Sequence, residues 1–224
     1  MKFLVLSDLH GAIENLDKLD SQFSKADAVL FAGDFAKFGE EETGLPSLKA
    51  LCKKHDVIYA VIGNCDNPDF LSALEEQDIS VQNTLTNYEG LSFAGSGGGS
   101  KFTGTTPNER TDEELASDLK IISESDAQNW DNLVVIMHNP PLNTACDRVE
   151  SGAHVGSAAL RSFIEKYKPL AVICGHIHES AAIDTIENTT IINPGALLEG
   201  KYAWLTISKT AESYRVESAT LEHI

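Results

Sequence analysis

Five short apolar runs in this chain each stop on a residue able to bind a metal ion. Lys2–Leu6 leads into Ser7-Asp8-Leu9-His10, and Ala28–Ala32 leads into Gly33-Asp34. Val57–Ile62 leads into Gly63-Asn64-Cys65-Asp66, Leu133–Met137 into His138, and Leu170–Cys174 into Gly175-His176-Ile177-His178. Short β-rich apolar runs that end on glycine or a polar residue read as buried strands entering loops. In open α/β sheets, ligands sit beyond the carboxyl ends of the strands. The pattern predicts strands that deliver Asp, Asn and His side chains to one rim.

Helical patterns separate the first three runs. Ala12–Phe23 carries Ile13, Leu16, Leu19 and Phe23 at helical spacing, and Leu45–Lys54 carries Leu45, Leu48, Leu51 and Cys52 on one face. Asp69–Gln77 reads as a short helix after Pro68. This β-α-β-α-β order predicts a parallel sheet. Ile79–Val81, Leu85–Tyr88 and Leu91–Ala94 are short β-like pieces. Thr111-Asp112-Glu113-Glu114 is a capping-box pattern that opens a helix to about Ser123. Ser157–Tyr167 is a further helix, and the tail is β-like over Ile183–Ile186, Thr190–Ile192, Ala203–Ile207 and Tyr214–Ser218. With no repeat or linker, residues 1–224 are expected to form a single α/β domain, two sheets face to face with helices outside.

The net charge of −17 opposes long-range attraction to polyanions, which excludes duplex nucleic acid and an anionic membrane as expected partners. A small phosphorylated substrate stays compatible, because bound cations reverse the local field. Cys52, Cys65, Cys146 and Cys174 form no C-x-x-C pair and read as reduced thiols. No apolar stretch approaches the roughly 20 residues that span a bilayer. The cytoplasm is the expected location, and the oligomeric state is left open, a homo-oligomer included. Gly95–Lys101 is glycine-rich, but Ser100 separates Gly99 from Lys101 and no helix follows, so it reads as a flexible loop bordering the site rather than a phosphate loop.

The strand-end residues form a coherent donor set. Asp8 and His10 are two apart, as are His176 and His178, a spacing at which side chains on a strand point the same way. Gly33 and Gly175 precede ligands and let the backbone pass close. Two carboxylates, one amide and four imidazoles make seven groups. With one carboxylate shared, they supply four donors to each of two ions. Mixed nitrogen and oxygen donors fit Mn, Fe, Zn, Co or Ni, with two Mn ions the leading expectation.

The ordered set Asp8-x-His10, Gly33-Asp34, Gly63-Asn64, His138 and Gly175-His176-x-His178, closed by Asn193-Pro194-Gly195, resembles the calcineurin-like metallophosphoesterase superfamily, in particular its small single-domain microbial phosphodiesterase branch. The resemblance implies a four-layer α-β-β-α sandwich of two mixed sheets flanked by helices. It assigns Asp8, His10, Asp34 and His178 to one ion and Asp34, Asn64, His138 and His176 to the other, with Asp34 bridging. It also implies a departure: Cys65 stands where the family carries a histidine that contacts phosphate and protonates the leaving group, followed here by Asp66.

The expected function is therefore dinuclear, metal-dependent hydrolysis of a small phosphodiester. Two cations about 3.5 Å apart would lower the pKa of a shared water, and the hydroxide would attack phosphorus in line with the departing oxygen. Asp34, Asn64, Cys65 and Asp66 belong to the expected catalytic group. His154, in Gly152-Ala153-His154-Val155-Gly156-Ser157, reads equally as a substitute donor for the absent histidine and as a surface histidine near an N-cap Ser157. A phosphomonoesterase and a metal-binding but non-catalytic regulator or scaffold are the alternatives.

Overall fold

The computed structural model describes residues 1–125, 130–210 and 213–224. The chain begins β1 (Lys2–Leu6), α1 (Ile13–Lys18), α2 (Asp20–Phe23), β2 (Ala28–Phe31), α3 (Gly44–Cys52), β3 (Ile58–Ala60) and α4 (Leu71–Glu76). It continues with β4 (Thr86–Tyr88), β5 (Leu91–Ser96), β6 (Gly99–Ser100), β7 (Glu109–Arg110), α5 (Asp112–Ser117), α6 (Lys120–Ser123), β8 (Leu133–Met137) and α7 (Ala158–Tyr167). β9 (Ala171–Ile173), β10 (Ala182–Ile186), β11 (Thr189–Asn193), β12 (Lys201–Lys209) and β13 (Tyr214–His223) follow.

The strands form two large mixed sheets. The first has the order β13-β12-β1-β2-β3, with β1, β2 and β3 parallel. The second has the order β10-β11-β9-β8-β5-β4, with β5, β8, β9 and β11 parallel and antiparallel strands at both edges. Parallel strands are buried on both faces, which explains their unbroken apolar runs.

Alternation along each strand sorts side chains between layers. Leu4 and Leu6 of β1 join Leu16, Leu19, Leu48 and Leu51 beneath the helices of the first sheet. Phe3 and Val5 point the other way and meet Phe93, Val134 and Ile136 of the second sheet. Val135 and Met137 of β8 in turn meet Leu115, Leu160 and Ile164 of α5 and α7. Three cores between four layers give the expected α-β-β-α sandwich.

Several expected elements differ in detail. The single helix expected over Ala12–Phe23 breaks at Leu19, whose ψ of 13° leaves the helical region, into α1 and α2. The Thr111 capping box forms as expected: Thr111 Oγ1 accepts from Glu114 N at 3.2 Å, and Glu114 Oε2 accepts from Thr111 N at 2.7 Å. The helix it opens divides into α5 and α6. Ile79–Val81 makes only isolated bridges beside the sheets, whereas β12 and β13 outrun the lengths expected of them.

The glycine-rich segment is not a flexible loop. Gly95 and Ser96 complete β5, and Gly99 and Ser100 pair with Glu109 and Arg110 as a small parallel ladder. Gly95 is required by the closeness of its neighbours: a Cβ there would lie 2.5 Å from Val61 Cγ1 and 2.6 Å from the Ile136 carbonyl oxygen. Gly95→Ala should destabilise the fold by about 1–3 kcal/mol through overpacking. Urea unfolding followed by circular dichroism measures this, and an unchanged midpoint would contradict it.

Candidate metal centre

The carboxyl ends of β1, β2 and β3 in one sheet and of β8 and β9 in the other meet at a single rim. Backbone hydrogen bonds carry strand pairing into the ligand loops. Asp8 N donates to Gly33 O at 2.9 Å, His10 N to Asp34 O at 3.0 Å, and Gly175 N to His138 O at 3.0 Å. The two sheets are also tied directly, since His176 N donates to the Asp8 carboxylate at 3.1 and 3.2 Å.

All seven expected ligands converge here. His178 Nε2 lies 3.2 Å from His10 Nε2 and 3.3 Å from Asp8 Oδ1, and His10 Nε2 lies 3.8 Å from Asp8 Oδ1. Asn64 Oδ1 lies 2.8 Å from His138 Nε2, and the His138 and His176 rings stand edge to face with centroids 5.1 Å apart. Asp34 lies between the two groups, with Oδ2 3.5 Å from His10 Nε2 and 3.5 Å from His138 Nε2. Its other oxygen, Oδ1, accepts from Cys65 N at 2.8 Å.

Strand alternation does not explain this convergence. Asp8, His10, Asp34 and His176 lie beyond the strand ends with φ values of 56°, 46°, 60° and 69°. Left-handed backbone costs a non-glycine residue roughly 1 kcal/mol or more, and such strain gathers at functional sites. The turn at His176 sends it toward His138 and sends His178 toward His10, so the histidines two apart divide between the groups. Gly33 and Gly175 provide the expected close approach. A Cβ at Gly33 would lie 2.8 Å from His138 Nδ1, and one at Gly175 would overlap Ser7 Oγ.

The donor chemistry fits cations. His138 Nδ1 donates to Ala32 O at 2.7 Å, and burial lowers the imidazole pKa, so Nε2 carries a lone pair. That lone pair faces the Asn64 amide oxygen, also an acceptor. Two acceptors at 2.8 Å repel unless a positive charge joins them. His10 Nδ1 is likewise occupied by Ala36 O at 3.0 Å, which presents Nε2 to the cluster. Three sets of donors lie mutually within 4.8 Å: Asp8, His10 and His178; Asp8, Asp34 and His138; and His10, Asp34 and Cys65.

Protonation follows packing. Burial opposes ionisation of Asp8, but the His178 hydrogen bond and surrounding imidazoles outweigh it and hold the carboxyl below its ordinary range. Burial and the neighbouring Asp8 charge raise Asp34. His176 keeps an edge in solvent, yet desolvation of its ring and the nearby His138 lower it to about 4. Burial also disfavours the charged form of His178, but its Asp8 hydrogen bond prevails and raises it.

The remaining expected site residues take different places. Cys65 Sγ sits in the cluster, but burial and nearby carboxylates push its thiol far up, so it stays protonated. Its sulfur receives only a weak contact from Asn64 Nδ2 at 3.6 Å. Asp66, expected among the catalytic group, lies beneath the rim, fully buried. Its carboxylate accepts from the backbone N–H groups of Gly63 (2.8 Å), Asp34 (3.0 Å), Phe35 (3.2 Å) and Ala36 (2.8 Å), which makes it a positioning residue. His154 pairs its Nδ1 with buried Asp147 Oδ1 at 2.7 Å, and no hydrogen bond, ion pair or ring contact joins it to the seven ligands.

Two buried asparagines support the rim. Asn108 donates from Nδ2 to Gly63 O at 2.9 Å and from N to Asn64 O at 3.1 Å. Nothing in the sequence around Asn108 distinguishes it from an ordinary loop residue. Asn193 Nδ2 donates to Ile177 O at 3.0 Å and holds the His176–His178 turn, which accounts for the Asn193-Pro194-Gly195 signal.

A four-layer sandwich with carboxylates and imidazoles gathered at its strand ends is the framework of a metal-dependent phosphoesterase. The model of calcineurin-like phosphoesterases matches residues 1–180, and the chain belongs to that family. An uncharacterised protein of Methanocaldococcus jannaschii is 33% identical over 200 residues, covering 87% of this chain and 88% of the relative. Among solved structures, a Thermus thermophilus protein superposes with a TM-score of 0.70 at 20% identity, over 91% of this chain and 93% of its own. A structure described as a novel archaeal phosphodiesterase superposes with a TM-score of 0.54 at 17% identity, over 99% of this chain and all (100%) of its own. Among the described residues, no helix is long and apolar enough to cross a membrane.

Two outcomes test this centre. Asp66→Ala leaves four backbone donors without their acceptor and should cost about 3 kcal/mol or more in urea unfolding; an unchanged midpoint would contradict its positioning role. His178, raised above the ordinary imidazole value, should lose a proton when metal binds near neutral pH, whereas lowered His138 and His176 are already neutral. Metal affinity should therefore fall as pH drops through the His178 titration and level off above it. Calorimetric titration of Mn²⁺ into metal-stripped protein at about pH 6 and about pH 8.5, in buffers of differing ionisation enthalpy, measures this; equal affinity at both would contradict it.

Proposed function

We propose that the protein hydrolyses small phosphodiesters with the aid of two divalent ions, manganese first among those its donors fit. The observation that carries the reading is the placement of Asp34, one carboxylate oxygen of which stands 3.5 Å from both His10 Nε2 and His138 Nε2. In this reading Asp8, His10, Asp34 and His178 hold one ion, and Asp34, Asn64, His138 and His176 hold the other. Such ions, when bound, polarise phosphoryl oxygens and lower the pKa of water. Two divalent cations bring four positive charges against the two carboxylates Asp8 and Asp34. The rim then attracts phosphate in a chain whose net charge is −17.

The protein's own groups position rather than react. Ala32 O and Ala36 O fix the His138 and His10 rings, and Asp66 fixes the backbone from Asp34 to Ala36. Positioning and charge stabilisation account for most catalysis of phosphoryl transfer. Cys65 keeps its proton on Sγ, so the leaving group departs without an acid at this position. That favours activated diesters over alkyl monoesters. The substrate is a small phosphorylated molecule, and the free thiols of Cys52, Cys65, Cys146 and Cys174 support a cytoplasmic setting.

Metal-stripped protein given Mn²⁺ should cleave bis-p-nitrophenyl phosphate faster than p-nitrophenyl phosphate. Cys65→His should raise the turnover of diesters with poor leaving groups by about tenfold or more, by restoring a proton donor. Faster cleavage of the monoester would identify a phosphatase instead. Cleavage of neither, with two ions bound per chain, would leave a metal-binding regulator and overturn the enzyme reading.

A further inference from the structure

A cavity of about 320 Å³ adjoins the rim, with Asn64 and His176 in its wall. Val149, Val155 and Ile177 give it an apolar side, and Phe102 stands at it from the segment between β6 and β7. Phe102 is 91% exposed, so its ring is open to a ligand. The segment bearing it is built around one carboxylate. Glu109 accepts from the backbone N–H groups of Phe102 (2.7 Å), Gly104 (2.9 Å) and Thr105 (3.1 Å), and these hydrogen bonds lower its pKa to about 2. Glu109 therefore stays ionised and holds the Phe102 backbone in place.

Resting on the phosphodiesterase reading, we propose that this cavity holds a planar aromatic or heterocyclic group that stays esterified to the phosphate when the leaving group departs, and that Phe102 is the specificity-determining residue that stacks on it. Continuity carries the assignment: a phosphoryl group at the Asn64 and His176 donors has its ester substituent beside the cavity. Size agrees. A cavity of roughly 150 Å³ accepts one benzene ring, so about twice that volume accepts a fused ring system or a ring with a short linker. Chemistry agrees also, since Val149, Val155 and Ile177 make one wall apolar. Stacking of a heterocycle on an aromatic side chain changes affinity about fivefold to a hundredfold.

Esters that share one leaving group and differ in the retained group isolate this effect. The Mn²⁺-loaded protein is assayed with ethyl p-nitrophenyl phosphate, 1-naphthyl p-nitrophenyl phosphate and thymidine 5′-(p-nitrophenyl phosphate). KM for the two ring esters should be about tenfold below that for the ethyl ester. Phe102→Ala should bring the ring-to-ethyl ratio of KM values close to one, and Phe102→Tyr should restore it; circular dichroism verifies that both variants fold. Preference for naphthyl alone would identify an apolar aryl site, and for thymidine as well, a heterocycle site; both support the assignment. Equal KM values in the unsubstituted protein, or a ratio unaffected by Phe102→Ala, would overturn the cavity assignment and leave the phosphodiesterase reading standing. Hydrolysis of none of the three esters with two ions bound would instead defeat that reading.

Discussion

The centre depends on one buried carboxylate. Asp66 gathers the N–H groups of Gly63, Asp34, Phe35 and Ala36, and thereby fastens the loop after β3 to the loop after β2. An ion so deeply enclosed is expensive unless its acceptor sites are filled. Burial and the adjacent Asp34 charge raise its pKa to about 6, and the four backbone donors counter that rise. With this clamp in place, Asp34 turns one oxygen to Cys65 N and leaves the other facing two imidazoles.

The rim is held by backbone more than by side chains. Its loops prolong the strand pairing of β1 with β2 and of β8 with β9, and four of the seven ligands adopt left-handed dihedrals that their residue types disfavour. Hydrogen bonds from Asp8 N, His10 N and His176 N offset that strain. The charges are arranged in the same spirit: Asp8 is stabilised as an anion by imidazoles around it, while His138 and His176 are kept neutral by packing. Neutral imidazoles beside the ionised Asp8 carboxylate are protonation states that suit a divalent cation.

The strand ends and their ligands were legible because each apolar run stops abruptly on a donor. The helix starts at Thr111 and Ser157 were legible because capping is local chemistry. The break at Leu19 was not, since the apolar spacing continues through it. Nor was the role of Asp66, because a carboxylate after Asn64 and Cys65 reads equally well as a reacting group or as a buried clamp. Its place depends on how the loops after β2 and β3 meet. His154 looked free to donate a proton, whereas its partner Asp147 emerges only when the intervening loop folds back. The glycine-rich segment owes its order to Val61 and Ile136, both distant in the chain, and to the β6–β7 ladder.

β1 lies between β2 and β12, and thus between a partner nearby in sequence and one almost at the other end of the chain. During synthesis β1 must wait for residues 201–209 before its second edge is filled. Contacts of such separation slow folding, because loop closure precedes the stabilisation it brings. The ligands follow a similar schedule, from Asp8 to His178, with Asn193 later still. A chain shortened to end between His178 and Asn193 would own all the donors, yet lack β12 and the Asn193 side chain that hold them in register. The donors thus come into register only once β12 has paired with β1.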